Sequence, residues 1–229
     1  MFFESHPRYI TDACICHIRK FLPEQEISIG MGFDAKSSFV RNTILNKNIS
    51  LEEFKSAVAL LKNFDIETIG YVSLKPPFLT EIQGIREAIV TGRYIQNIGV
   101  DIISIEPIAI QPYTIQMELA KVGEYRVPWL WSCIEVAKEL TSKGRVLIGG
   151  DAFLPVPLET ASNCPKCTDR INSKIRIFNK KQDISVLDGE RCECHKKWCE
   201  LLEQENYIIT SHAKIHNTFE TIKRRSIYV

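Results

Sequence analysis

The stretch ETIGYVSLKPPFLTEIQGIREAIVTGRYIQNIGVDIISIEP, residues 67–107, reads as strand, helix, strand. ETIGYVSL is nearly continuous in apolar and β-branched character, as expected of a parallel strand covered on both faces. The prolines at 76 and 77 break it. Thr80 and Gln83 then stand at the spacing of a capping box, in which each satisfies a backbone N–H of the other. Ile82, Ile85 and Ile89 recur on one helical face, and Gly99 supplies the stop. DIISIEP is a second apolar run. A strand, a helix and a strand in about 40 residues make a right-handed βαβ crossover, and hence a parallel sheet.

The same unit recurs on both sides. FFES reads as a strand cut off close to its beginning, and RYITDACICHIRKFL as a helix with Ile10, Cys14, Ile18 and Phe21 on one face. EISIGMGF is a strand with glycines at its C-terminal end. SLEEFKSAVALLKNF is a helix with a Ser50–Glu53 capping box and the stripe Leu51, Phe54, Val58, Leu61. PWLWSCIEVAKELTSKG carries Pro128 near its first turn and Gly144 at its end, and RVLIGG is the last strand. An open doubly wound sheet and a full or partial barrel of the TIM type both fit residues 1–150. In either, the ligand site lies at the strand C-termini, where GMG, KPP, EPIAI and IGGD fall. Glu106 and Lys75 sit there as candidates for polar contact to a ligand.

The chain has 229 residues, 45% hydrophobic and 25% charged, with a formal net charge of +1. That suits one large domain or one domain with a small appendage. No global excess of charge calls for a polyanionic partner. No apolar run reaches the length of a membrane span, and MFFESHPRYITD lacks the features of a signal peptide. The expectation is a cytoplasmic protein without membrane contact. In a reducing compartment eight cysteines are not expected to form a disulfide framework.

Five of those cysteines lie between positions 164 and 199. Composition shifts near residue 151, where DAFLPVPLETASNCPKC is proline-rich. KIRIF and ISVL, bridged by NKKQD, read as a hairpin flanked by Cys164-x-x-Cys167 and Cys192-x-Cys194. Two cysteine pairs bracketing a hairpin give four thiolates for a tetrahedral structural zinc site, a zinc-ribbon-like module over 151–200. Lys166, Arg191 and Lys196 would offset its charge. The fourth ligand is open between Cys194, His195 and Cys199. The spacing does not match the usual ferredoxin patterns. Cys14, Cys16 and Cys133 fall in helical patterns and read as packing residues, as do Trp129 and Trp131. Residues 201–229 read as a polar tail whose Lys214, Lys223, Arg224 and Arg225 form a local basic excess. Asp151, after two glycines, reads as a solvated strand end.

One stretch carries a resemblance. EISIGMGFDAKSSFVRNTILNKNISLEEF, residues 26–54, resembles radical-SAM enzymes of the group that contains the Elongator catalytic subunit and the methylthiotransferases. Glu26, Gly30, Arg41 and Lys47 match the motif, while Gly32, Phe33 and Asn48 depart from it. FESHPRYI, SLKPPFLTE, ISIEP and YRVPWLWS look like the archaeosine radical-SAM lyase branch, with His6 where the family prefers arginine. The resemblance implies tRNA modification, with S-adenosylmethionine and a 4Fe–4S cluster at the barrel mouth, and Glu26, Gly30, Lys75 and Glu106 as residues facing the cofactor. The family's C-x3-C-x2-C loop is absent from the sequence, and its first two βα units have no counterpart. No catalytic residue is assigned. The expectation is a non-autonomous subunit or fragment that needs a cluster-bearing partner, with tRNA as a further partner. The alternative is an inactive zinc-containing module that binds RNA or protein.

Overall fold

The computed structural model describes residues 1–150, 155–190 and 192–207. The elements are β1 (Phe2–Glu4), α1 (Asp12–Phe21), β2 (Ser28–Asp34), α2 (Leu51–Asn63), β3 (Glu67–Leu74), α3 (Glu81–Asn97), β4 (Ile102–Pro107), α4 (Ile115–Lys121), α5 (Leu130–Leu140), β5 (Arg145–Ile148) and α6 (Thr168–Lys181). A last helix, α7, covers 193–207.

All five strands are parallel and pair in the order of the chain, β1-β2-β3-β4-β5. Right-handed crossovers that always step the same way keep their helices on one face of the sheet. A doubly wound sheet must reverse its order and cover both faces. The sequential order therefore selects a partial βα barrel wall. Its helix side carries Ile29, Met31, Phe33, Val72, Leu74, Ile103, Ile105, Val146 and Ile148, all buried. The intervening residues of β2, β3 and β4 face the concave side.

Both expected capping boxes form. Ser50 Oγ accepts from Glu53 N at 3.0 Å while Glu53 accepts from Ser50 N at 2.9 Å, and Thr80 with Gln83 does the same for α3. Gly99 closes α3 at φ 97°. Between β2 and α2 the chain makes one π-helical turn, Phe39–Ile44. Arg41 holds it, donating to the carbonyls of Ala35 (2.7 Å), Lys36 (2.9 Å) and Ile49 (2.7 Å), with its guanidinium 4.9 Å from the Phe33 ring. The buried Arg41 thus satisfies the carbonyls that the short turn leaves open.

Three expectations fail. KIRIF is not a strand: it lies within α6, whose buried Ile171, Ile175 and Phe178 follow helical spacing, and ISVL is a single 3-10 turn, Ile184–Leu187. The five-residue alternation of KIRIF hid the longer period of TDRINSKIRIFNKK. The expected zinc-ribbon-like hairpin is therefore a helix followed by a 3-10 turn. On α1, the inward residues are Ile15, Ile18 and Leu22; Cys14, Cys16 and Phe21 are exposed. Lastly, α5 ends at Leu140, and a 3-10 turn intervenes before Gly144, which is extended. Cys133 is fully buried, as expected.

The described part of the cysteine-rich segment, 155–190 and 192–200, packs into the core of the sheet. Cys167, Ile171, Cys194 and Trp198 belong to the same core cluster as Ile103 and Leu140. The side chains of α6 also treat β5 as a strand partner would. The Asn179 amide donates to Ile148 O (2.8 Å) and accepts from Ile148 N (2.9 Å), and Gln182 does the same for Val146 at 2.9 and 3.0 Å. An edge strand's free backbone groups are thereby satisfied.

Candidate functional site

The concave side ends in a cleft of about 550 Å³ at the C-terminal ends of the strands. Its floor is built from residues that alternate with the core positions. Tyr71, on β3, lies across the sheet and donates to Glu4 Oε1 on β1 at 2.7 Å. This crossing requires a glycine at position 30 of the intervening β2, where a Cβ would collide with the phenol ring. Ser104 donates to Glu106 Oε1 at 2.7 Å, and the Glu106 carboxylate lies against Gly149, the glycine that follows β5.

A β-bulge between Gly32 and Asp34 brings a further acid into the mouth. Asp34, at φ 65°, pairs with Lys47 Nζ at 2.8 Å and accepts from Ser73 Oγ at 2.7 Å. Its Oδ2 stands 3.0 Å from where a Cβ at Gly32 would be. Asp34, which the sequence reading did not select, thus sets its carboxylate beside Gly32.

Burial pushes the Glu106 carboxyl above the usual carboxylate range, and the nearby charges of Asp34 and Glu4 add to the rise against the Ser104 hydrogen bond. The Tyr71 hydroxyl is driven well above its ordinary value by burial and by its bond to Glu4. The mouth is therefore rich in acceptors, with Lys47 as its cation. It offers partners to a positively charged ligand group.

The structure separates the four residues expected to face a cofactor. Glu106 lines the mouth. Gly30 lies in its floor and seats Tyr71. Glu26 is exposed ahead of β2, about 20 Å from the mouth along the strand. Lys75 is turned into a buried ion pair with Glu81, Nζ to Oε2 2.8 Å. Glu81 in turn accepts from Trp129 N at 2.9 Å and Ser132 Oγ at 2.5 Å, capping the start of α5. Tyr125 Oη donates to Lys75 O at 2.9 Å. Lys75 and Phe78 both hold positive φ, 57° and 67°. For non-glycine residues that costs ~1–3 kcal/mol each, and the network around Glu81 fixes the loop that bears it. A second cleft, of about 600 Å³, adjoins this loop.

The four cysteines do converge. The sulfurs of Cys164, Cys167, Cys192 and Cys194 all lie within 4.8 Å of one another. Cys164–Cys167 is 3.7 Å, Cys164–Cys192 3.5 Å and Cys167–Cys194 3.5 Å. Sulfurs at ~2.3 Å from a tetrahedral ion stand ~3.8 Å apart, so the group could hold a metal. Cys167 caps the start of α6, and Cys194 lies in the first turn of α7, so two helix N-termini face the sulfurs and favour their negative charge. Trp131 Nε1 donates to Cys194 Sγ at 3.3 Å. Burial raises the Cys164 thiol, but hydrogen bonds from Cys192 and Cys194 outweigh it and hold it at about 7; burial drives Cys167 far the other way. Four such thiols do not all ionise unaided, and a divalent cation reverses that balance.

His195 and Cys199, the other candidates for the fourth position, are not among the four converging ligands. They approach one another at 3.7 Å, and the imidazole packs against Trp131 and Trp198. Among the described residues that line the mouth there is no thiolate. A 4Fe–4S cluster does not fit there. Asp151, Arg191 and the basic positions 214 and 223–225 lie outside the described residues. No helix among the described residues is long and apolar enough to cross a membrane.

No protein-family model matches the chain. Curated relatives do. The chain is 33% identical over 208 residues to an uncharacterized protein of Methanocaldococcus jannaschii. It is 28% identical over 211 residues to archaeosine synthase subunit beta of Methanosarcina acetivorans, and 27% identical over 208 residues to the subunit of the same name from Thermococcus kodakarensis. These alignments take in 87 to 89% of the chain, which spans only 56, 59 and 62% of the three relatives' own lengths. Among solved structures, Elp3 of Methanocaldococcus infernus matches with a TM-score of 0.57 at 18% identity, over 79% of this chain and 42% of that one. The resemblance read from FESHPRYI, SLKPPFLTE and YRVPWLWS is thus borne out: the chain is similar to the archaeosine branch in sequence and to the Elongator type in fold.

Proposed function

We propose that the chain forms the ligand-facing wall of a tRNA-modifying radical-SAM enzyme of the archaeosine type, and that the iron–sulfur cluster is held outside these 229 residues by a partner. One observation carries this reading. The mouth presents Glu4, Asp34, Lys47 and Glu106 around an open cleft, yet has no sulfur ligand among its described residues. Reductive cleavage of S-adenosylmethionine needs iron held by three thiolates with one position open. The four cysteines do not serve, because a closed tetrahedron of sulfur leaves no open position.

Within this reading Glu106 and Asp34 pair with the cationic ammonium and sulfonium groups of S-adenosylmethionine, and Lys47 meets its carboxylate. The four-cysteine group holds zinc and has a structural role, tying α6 to α7. Similarity to proteins named as a beta subunit supports the need for a partner chain.

Calorimetric titration with S-adenosylmethionine tests the wall. Binding by the full chain that is abolished by Glu106→Gln is expected. 5′-Deoxyadenosine should appear under reduction only when a chain carrying C-x3-C-x2-C is added. A preparation of this chain alone that takes up iron and sulfide and releases 5′-deoxyadenosine would refute the proposal. Failure to bind S-adenosylmethionine favours instead a binding module, the reading to which Gly32 and Phe33 point.

A further inference from the structure

We infer that the second cleft, beside the loop between β3 and α3, receives one unstacked base of single-stranded RNA. The inference rests on the reading of an RNA partner given above and names where and how that partner is gripped. Three features converge on the cleft. The Arg126 guanidinium lies 4.2 Å over the Trp129 ring, although Arg126 itself is exposed. One plane of the guanidinium is occupied by indole, and among the described residues no second ring lies against the other, which suits it to a further flat π-system. Phe78 lines the same cleft, 60% exposed as a residue, on a backbone held at φ 67°. Core packing does not account for an apolar ring kept in solvent on a strained backbone. Trp129 is 7% exposed, and its Nε1–H has no acceptor among the described residues.

The chemistry selects a base over a phosphate. Of the cations among the described residues that line the cleft, Lys75 is already paired with Glu81, which leaves Arg126. Glu124, exposed on the same rim, would repel a phosphate but accepts from the amino or imino groups of a base edge. Bases freed from a duplex stack on aromatic rings and on arginine planes and are read along their edges. A base inside a helix offers neither face. The cleft volume of about 600 Å³ falls within the range of ~300–1,000 Å³ usual for small-ligand sites. Its walls are preorganised, since Tyr125 and Trp129 are both fastened to the Lys75–Glu81 network.

The test uses the full chain and a short single-stranded RNA carrying 2-aminopurine, with the same strand annealed to its complement as control. Quenching of the 2-aminopurine and at least ~10-fold tighter binding of the single strand are expected. Arg126→Ala and Phe78→Leu should each weaken single-strand binding by ~10-fold, the scale of one lost base stack. Their thermal midpoints should stay at the wild-type value. Equal affinity for single strand and duplex overturns the inference, as does binding that neither substitution changes. So does an Arg126→Ala loss that is the same for both forms, which would mark a phosphate contact. An unfractionated tRNA sample run in parallel separates the two levels. If tRNA binds and both variants are silent, this cleft is wrong and the RNA partner stands; if no RNA binds, both fall.

Discussion

The barrel mouth and the four-cysteine corner are built on opposite principles. The mouth is open, polar and lined from all five strands, and its groups are joined in pairs: Tyr71 to Glu4, Ser104 to Glu106, Lys47 to Asp34. The corner is dense and sulfur-lined, and both cysteine pairs sit at helix starts. A site meant to exchange a ligand keeps unfilled space and unsettled protonation. A site meant to hold a structure draws its donors together until an ion fits and nothing else enters. Removing a group from the corner should therefore cost stability, and removing one from the mouth should cost binding.

The sharpest contrast comes from the corner. Chelation, or Cys167→Ser, is expected to cost ~4 kcal/mol or more, because metal binding to such a site is coupled to folding. For a chain of this size that is ~10 °C or more in the thermal midpoint. Elemental analysis of wild type should find one zinc per chain. A metal-free protein with an unchanged midpoint would erase the distinction. Next comes the floor of the mouth. Gly30→Val drives a side chain into the Tyr71 ring and should cost ~1–3 kcal/mol in urea unfolding. An unperturbed variant would mean that Tyr71 does not lie across β2.

Glu106→Gln should separate stability from binding most cleanly. The folded-state carboxyl titrates above its unfolded value near ~4.3. The folded protein therefore holds its proton longer, and stability falls as pH rises from the unfolded value through the folded one. The substitution removes that penalty. The variant is expected to be slightly more stable than wild type at pH 7, with a flatter stability profile through the acid range, while losing S-adenosylmethionine binding. A variant less stable at pH 7 than wild type would contradict the assignment of burial as the main cause. The smallest effect belongs to neither region: Cys14→Ser, on the exposed face of α1, should lie within ~0.5 kcal/mol of wild type.

Much of the wall was legible in the sequence, because its signals are local. The Ser50–Glu53 and Thr80–Gln83 boxes, the apolar runs and Gly99 each announce themselves within a few residues. The barrel alternative could be chosen only from strand order, which is a long-range property. KIRIF misled because five residues sample two periods too briefly to separate them. The cysteine pairs were legible as a group, yet their fourth member was not, since Cys194, His195 and Cys199 differ only in which way a helix turns them. Lys75 stood at the right strand end but found Glu81, a partner no local pattern reveals. Asp34 was hidden by the bulge, and Gly30 mattered for the ring laid over it from another strand.

The amides of Asn179 and Gln182 give the sheet a direction. They spend the hydrogen-bonding valence of β5's outer rim on two side chains, and so shut that flank to any incoming backbone. A further strand joining this sheet would find its open flank beside β1 and not beside β5. The flank that is shut hangs from the same helix whose first turn the sulfurs grip.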